Sequence, residues 1–354
     1  MIKTFYKVLF GLILFILPGH LVAQNLNNIE FFKQRDFGKY FISDMFSPNT
    51  EIRLGMGLLR SAYNINPDRH STFAFYAESV MGTEIPLLYW NISGPDSGSK
   101  LAISIPLSTS IWLDFSEPLT NPVVNTDYRV GSLQINYLHE LNFGFVKNVS
   151  LSFIPFFHES SHIGDEVTIY RIDSDFPIIR VNASRNTAEM ALTINDENGK
   201  QDNNHSFKFG TSMMYDKTKG YYRMRAAEGD TTKITPSDTR MEWYGQYQWH
   251  GPSGIIKDPK FTTVFSLELR NRLRYNYPYY ISRPSSSTGP DEVNPTRKYV
   301  PSVNGYLGYR YRPNMEKTSY IGLYFRFYLG INPHGQFRNI PGHRFYGFSM
   351  VYEN

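Results

Sequence analysis

The stretch Tyr320-Ile321-Gly322-Leu323-Tyr324-Phe325-Arg326-Phe327-Tyr328-Leu329 is written in a period of two. Ile321, Leu323, Phe325, Phe327 and Leu329 take one set of alternate positions; Gly322, Tyr324, Arg326 and Tyr328 take the other. Successive side chains of a strand point to opposite faces, so this spelling makes one apolar face and one wetter face. The same pattern continues outward from it. Met241, Trp243, Tyr247 and Trp249 interleave with Glu242, Tyr244, Gln246 and Gln248. Leu101, Ile103, Ile105 and Leu107, then Leu133, Ile135 and Tyr137, then Phe207, Phe209, Met213 and Tyr215, then Phe265, Leu267 and Leu269 all hold odd positions. Even positions of these segments therefore face the other way, into a lumen. A soluble β-sandwich alternates too. Aromatic outer faces, Tyr and Trp near strand ends and a terminal Phe348-x-Met350-x-Tyr352 favour instead a closed antiparallel transmembrane β-barrel, whose backbone polar groups are all satisfied inside lipid.

The pattern predicts strands near 52–65, 72–90, 100–115, 128–141, 149–162, 178–196, 205–216, 239–250, 261–282, 301–312, 319–331 and 343–353, about twelve. Shorter connections (142–148, 197–204, 251–260, 313–318) alternate with longer ones (163–177, 217–238, 283–300, 332–342), which assigns turns to the periplasm and loops to the exterior. The segment 178–196 breaks the parity. Its even positions are polar at Arg180, Asn182, Ser184 and Asn186 but apolar at Met190, Leu192 and Ile194, so a bulge is expected near Arg185.

Lys3 and Lys7 precede the apolar run Val8 to Leu17, and Leu21-Val22-Ala23 suits signal peptidase. The expected organisation is a signal peptide at 1–23, a periplasmic segment at 24–51 and an outer-membrane barrel at 52–354. The chain holds 26 Tyr, 26 Phe and no Cys, which excludes disulfides, thiolate metal sites and a lipidated N-terminal Cys. A mean hydropathy of −0.38 excludes a helical membrane bundle but suits a barrel with polar inward positions. The net charge of +4 is small and unclustered, so no nucleic-acid partner is read.

One local cluster carries candidate chemistry: Phe157-His158-Glu159-Ser160-Ser161-His162-Ile163-Gly164-Asp165-Glu166. His158-Glu159-x-x-His162 spells a zinc site only on a helix. On a strand two His four apart lie about 13 Å from each other, too far to share one ion. On a strand His158 and Ser160 do share a face, so a histidine base and a serine nucleophile can meet. A symmetric closure of the loop 163–177 sets Asn182 opposite His158, where an amide oxygen can orient the imidazole. Parity points His158, Ser160 and His162 into the lumen; Pro155, which cannot donate to a ladder, is the position where a bulge would reverse that facing. The alternative is a structural network in which His162, Arg180 and Ser184, next to Asp165 and Glu166, hold an external loop down.

The His158-x-Ser160 pair with an Asn on the adjoining strand resembles outer-membrane phospholipase A and the lipid A deacylases. That resemblance implies acyl-ester hydrolysis with Ser160 as nucleophile, His158 as base and Asn182 as orienter. The longer His158-x-Ser160-x-His162-x-Gly164-Asp165-Glu166 motif, with Asn182-x-Ser184-Arg185 and Gly335-Gln336-Phe337-Arg338, is similar to a family of bacterial outer-membrane proteins carrying a domain of unknown function. Ala183 and Asn186 depart from its pattern. It implies fold and location, and no activity.

Arg270, Arg272, Arg274, Arg310, Arg312 and Arg326 share the inward parity, a basic ladder able to attract a small anionic solute. Neutralisation by Glu242 and Glu268 in a filled interior is the preferred reading. Asp165, Glu166, Asp173 and Asp175 offer carboxylates to calcium, although an acidic surface loop accounts for them as well; no other cofactor is expected. The sequence alone thus favours a non-catalytic envelope protein, monomeric or weakly dimeric: structural, a narrow channel or a surface scaffold. A serine-dependent hydrolase of phospholipid or lipid A is the alternative. Which face carries Ser160 separates the two.

Overall fold

A computed structural model of the chain describes residues 28–58, 73–92, 98–115, 123–164, 178–181, 183–196, 204–214, 221–224, 231–234, 241–273, 279–281, 291–293, 299–314, 319–334 and 341–353. Twelve antiparallel strand positions close on themselves. They are β1 (Thr50–Leu58), β2 (Phe73–Asn91), β3 (Ser99–Asp114), β4 (in two segments, Val123–Gly131 and Gln134–Phe143), β5 (Val146–Ile163), β6 (Ala183–Ile194), β7 (Asn204–Met214), β8 (Met241–Pro252), β9 (Phe261–Leu273), β10 (Tyr299–Tyr311), β11 (Tyr320–Ile331) and β12 (Pro341–Glu353). Each pairs with its sequence neighbours, and β12 closes the ring on β1 with Gly347 opposite Gly55. Both segments of β4 lie between β3 and β5. The connection 217–238, expected as a plain loop, contains the short strands Tyr221–Met224 and Thr231–Ile234, which pair with each other; Tyr279–Ile281, at the end of the expected strand 261–282, pairs with Asp291–Val293 in the expected loop 283–300.

Alternation sorts the wall as the sequence predicts. Leu323 is 60% exposed and Phe348 64%, whereas Tyr324, Tyr328 and Arg326 are buried inside. An apolar exterior around a polar interior is the arrangement a bilayer requires of a barrel. Inward positions are even in β8 to β11 and odd in β1 and β12, where Glu51 and Arg53, then His343 to Glu353 on alternate positions, face the interior.

The interior is filled. Residues 35–49, part of the segment 24–51 expected in the periplasm, enter the lumen, with Phe37, Phe41, Ile42, Ser43 and Asp44 almost wholly buried. Irregular backbone inside a barrel needs side-chain partners for its N–H and C=O groups, and the wet face supplies them. Gly38 N donates to Asp196 Oδ2 (2.6 Å), Ile42 N to Gln248 Oε1 (2.9 Å) and Ser43 N to Ser266 Oγ (3.2 Å), while Asn304 Nδ2 donates to the Ser43 carbonyl (2.9 Å). Asp44 Oδ2 lies 3.2 Å from Lys208 Nζ, and the Phe46 ring sits 4.2 Å and 4.7 Å from the guanidiniums of Arg129 and Arg270. Burial pushes the Asp44 carboxyl up, but Lys208 and Arg270 outweigh it and hold the group below the usual carboxylate range. Where the segment rejoins the wall it crosses Gly82, at which a Cβ would overlap the Pro48 carbonyl.

Arg53, Arg270, Arg310 and Arg326 have carboxylate or ring partners inside the wall. Arg53 bridges Glu51 (2.6 Å) and Glu78 (2.7 Å), and Arg270 meets Glu268 (3.0 Å) with Glu242 at 3.8 Å. Arg326 approaches Glu78 at 3.6 Å, and Arg310 lies 3.9 Å over the Tyr320 ring. The side chains of Arg272 and Arg274 lie outside the described residues. At the long-loop end His334 turns inward, stacking on Trp112 (centroids 4.5 Å apart) with Nδ1 3.0 Å from Asp127 Oδ2.

Candidate active site

The parity of β5 reverses within the strand. Asn148, Ser150 and Ile154 are buried on the inner face, and so, farther along, are Glu159 and Ser161. The register explains this change from even to odd: Ile154 faces Glu189 and Phe157 faces Thr187, so β5 spends three steps where β6 spends two. The extra residue is a bulge at Pro155-Phe156, where proline's missing N–H is tolerated. Beyond it the even residues point outward. The expectation that His158, Ser160 and His162 face the lumen is therefore corrected by the bulge that Pro155 marks.

β4 makes the matching change. Gln134, Asn136 and Leu138 are buried in one segment, Asn125, Asp127 and Arg129 in the other, with Ser132-Leu133 between them. Tyr128 and Val130 consequently stand outward beside the β5 cluster, 48% and 47% exposed. β6 does not reverse. Arg185, Thr187, Ala191 and Thr193 are all buried within, so the expected bulge near Arg185 is absent from this strand. Its polar even residues, Ser184 and Asn186, lie on the outer face together with Leu192. The polarity break that the sequence displays is a polar patch on the outside of the barrel.

Register also replaces the predicted partner. His158 faces Asn186, not Asn182, and His158 Nδ1 lies 2.7 Å from Asn186 Oδ1. The register is offset by four residues from the one a symmetric closure of the preceding loop predicts; Asn182 itself lies outside the described residues. Ser160 faces Ser184 on β6 and Tyr128 on β4. Its Oγ lies 3.2 Å from His162 Nε2, and the His162 ring stands edge-on to Tyr128 with centroids 5.9 Å apart. Behind this face, inside the wall, Glu159 Oε2 holds Arg185 Nη2 at 2.5 Å and Arg129 Nε at 3.3 Å, and Ser161 Oγ donates to Asn125 Oδ1 (3.1 Å). These interior contacts tie β4, β5 and β6 together directly beneath the outward cluster.

With Asn186 Oδ1 accepting from Nδ1–H, the lone pair of the His158 imidazole is left on Nε2. Asn186 was missed in the sequence because its position opposite His158 depends on the length of the loop closure. Its presence among polar even positions of an otherwise apolar outer face was the available signal. Asp165, Glu166, Asp173 and Asp175 lie outside the described residues, as does the side chain of Arg180. Among the described residues no group of three or more His, Asp or Glu is placed to hold a metal ion.

No family model matches the chain, and no curated protein matches it. Solved barrels do. Outer membrane phospholipase A from Escherichia coli has a TM-score of 0.44 at 12% identity, over 86% of this chain and 92% of its own. The calcium-bound outer membrane phospholipase dimer of Salmonella typhi has 0.44 at 14%, over 86% and 91%. A FadL homologue of Pseudomonas aeruginosa has 0.32 at 8%, over 86% of each chain. The barrel architecture rests on the strand pairings themselves.

Proposed function

We propose that the protein is an outer-membrane serine hydrolase that cleaves acyl esters of lipids at the long-loop rim of its barrel. The observation that carries this reading is the outward facing of Ser160 together with the His158 to Asn186 hydrogen bond at 2.7 Å. A lipid-facing hydroxyl beside an oriented imidazole has an ester substrate within reach from the bilayer, which a lumenal one does not. In this reading Ser160 is the nucleophile, His158 takes its proton and Asn186 fixes the imidazole tautomer. The apolar exterior supports residence in a membrane. The channel alternative is less favoured because residues 35–49 occupy the lumen and, among the described residues, Arg53, Arg270 and Arg326 are paired with carboxylates there.

The test is hydrolysis of phospholipid and of lipid A by purified protein. Ser160→Ala should abolish release of fatty acid from whichever lipid is the substrate while leaving the barrel folded. Asn186→Ala should lower turnover by up to about 10²-fold, since an unoriented imidazole loses much of a general base's contribution. Calcium chelation belongs in the same assay, because Asp165 and Glu166 follow the cluster directly. Unchanged hydrolysis in Ser160→Ala would assign the chemistry elsewhere.

A further inference from the structure

Acyl transfer at Ser160 needs more than a nucleophile and a base: the carbonyl oxygen gains charge as the tetrahedral intermediate forms, and a donor must meet it. Many hydrolases use backbone N–H groups for this. At this site the ladders compete for them. Residues 157–161 of β5 are paired on both sides, to Gly131–Asp127 of β4 and to Thr187–Ala183 of β6. A strand flanked on both edges commits its N–H groups to its neighbours. The oxyanion donor must then come from a side chain on the outer face.

The described side chain in contact with the nucleophilic oxygen is His162, whose Nε2 lies 3.2 Å from Ser160 Oγ. On a strand the residues at i−2 and i+2 flank residue i on one face, so Ser160 stands between two imidazoles with different surroundings. His158 is tied to Asn186 through Nδ1; His162 is exposed at the rim, edge-on to Tyr128. We infer that His162 is the oxyanion donor of the site, a role that rests on the hydrolase reading and completes it. Its Nε2–H donates to Ser160 Oγ at rest and transfers that hydrogen bond to the ester carbonyl oxygen as Oγ bonds the carbonyl carbon.

The step balances within these residues. The Ser160 proton passes to His158 Nε2, the Oγ–C bond forms, and the carbonyl π pair moves onto the oxygen that His162 meets. Collapse breaks the bond to the leaving alcohol, which takes the proton back from His158. Water then repeats the sequence to release the fatty acid and restore Ser160.

The experiment measures steady-state lipid hydrolysis in mixed micelles for the full chain and for His162→Ala, His162→Gln and Ser160→Ala, each checked for the heat-modifiable gel band of a folded barrel. His162→Ala should lower kcat by about 10²–10³-fold, the loss typical of one missing oxyanion donor, with KM within about twofold. His162→Gln keeps an N–H donor and should recover at least tenfold of that loss. Wild-type kcat in His162→Ala, equal losses in both variants, or a loss carried by KM would overturn the role of His162. Hydrolysis persisting in Ser160→Ala would instead overturn the hydrolase reading itself, and the two failures are therefore distinguishable.

Discussion

At the residue scale, the outward cluster depends on charges it never touches. Glu159 lies between Ser160 and His158 in sequence but points the opposite way, and it is the shared partner of Arg129 and Arg185. Removing one member of a buried ion cluster leaves its partners uncompensated, at a cost of about 3–5 kcal/mol. Glu159→Ala should accordingly destabilise the barrel by about that amount in a urea titration followed by tryptophan fluorescence. An effect below about 1 kcal/mol would mean that the interior tolerates both guanidiniums without it. The site was only partly legible beforehand. His158, Ser160 and His162 announce themselves by type and spacing, whereas Asn186 and Glu159 acquire their roles from the β5 to β6 register, which no local spelling encodes.

At the element scale, two adjacent strands change phase at a similar level, β4 across Ser132-Leu133 and β5 across Pro155-Phe156. Each change swaps which side chains meet lipid, because strand facing has a period of two. Parity read from sequence is right in β8 to β11, wrong beyond each bulge, and wrong also in the first half of β6, where an outward polar patch imitates a change of phase. Proline marks one of the two places; Ser132-Leu133 carries no comparable signal. Deleting Phe156 would force either Glu159 into the lipid or residues 157–163 out of register, so the folded, heat-modifiable form should be strongly depleted. Recovery of that form with full lipid hydrolysis would show that the extra residue does not set the facing of Ser160.

At the scale of the whole molecule, the barrel is a scaffold with an occupied interior. The wet face that alternation predicts is spent on residues 35–49, whose backbone partners include Gln248, Ser266 and Asn304. The sequence assigns this segment to the periplasm because nothing in its own composition says that it enters the barrel. Planar-bilayer recordings should show only small conductance steps, and large anion-selective steps would contradict the filled lumen. Asp44 adds a pH dependence. Its pKa is lower folded than unfolded, so its contribution to docking is fully present above the unfolded value of about 3.9 and is lost as pH falls below it. Steps should grow below about pH 4 in the wild type, and Asp44→Asn should show the larger steps already at pH 7.

The outward facing of Ser160 is the claim on which the functional reading stands, and the absence of cysteine from the chain makes it directly measurable. Single cysteines placed in turn at residues 158 to 162, labelled with a fluorophore and reconstituted with lipids carrying a quencher on the acyl chain, report which positions meet the bilayer. Strong quenching at 158, 160 and 162 with weak quenching at 159 and 161 is the predicted result; the reverse alternation would place Ser160 in the lumen and contradict the account.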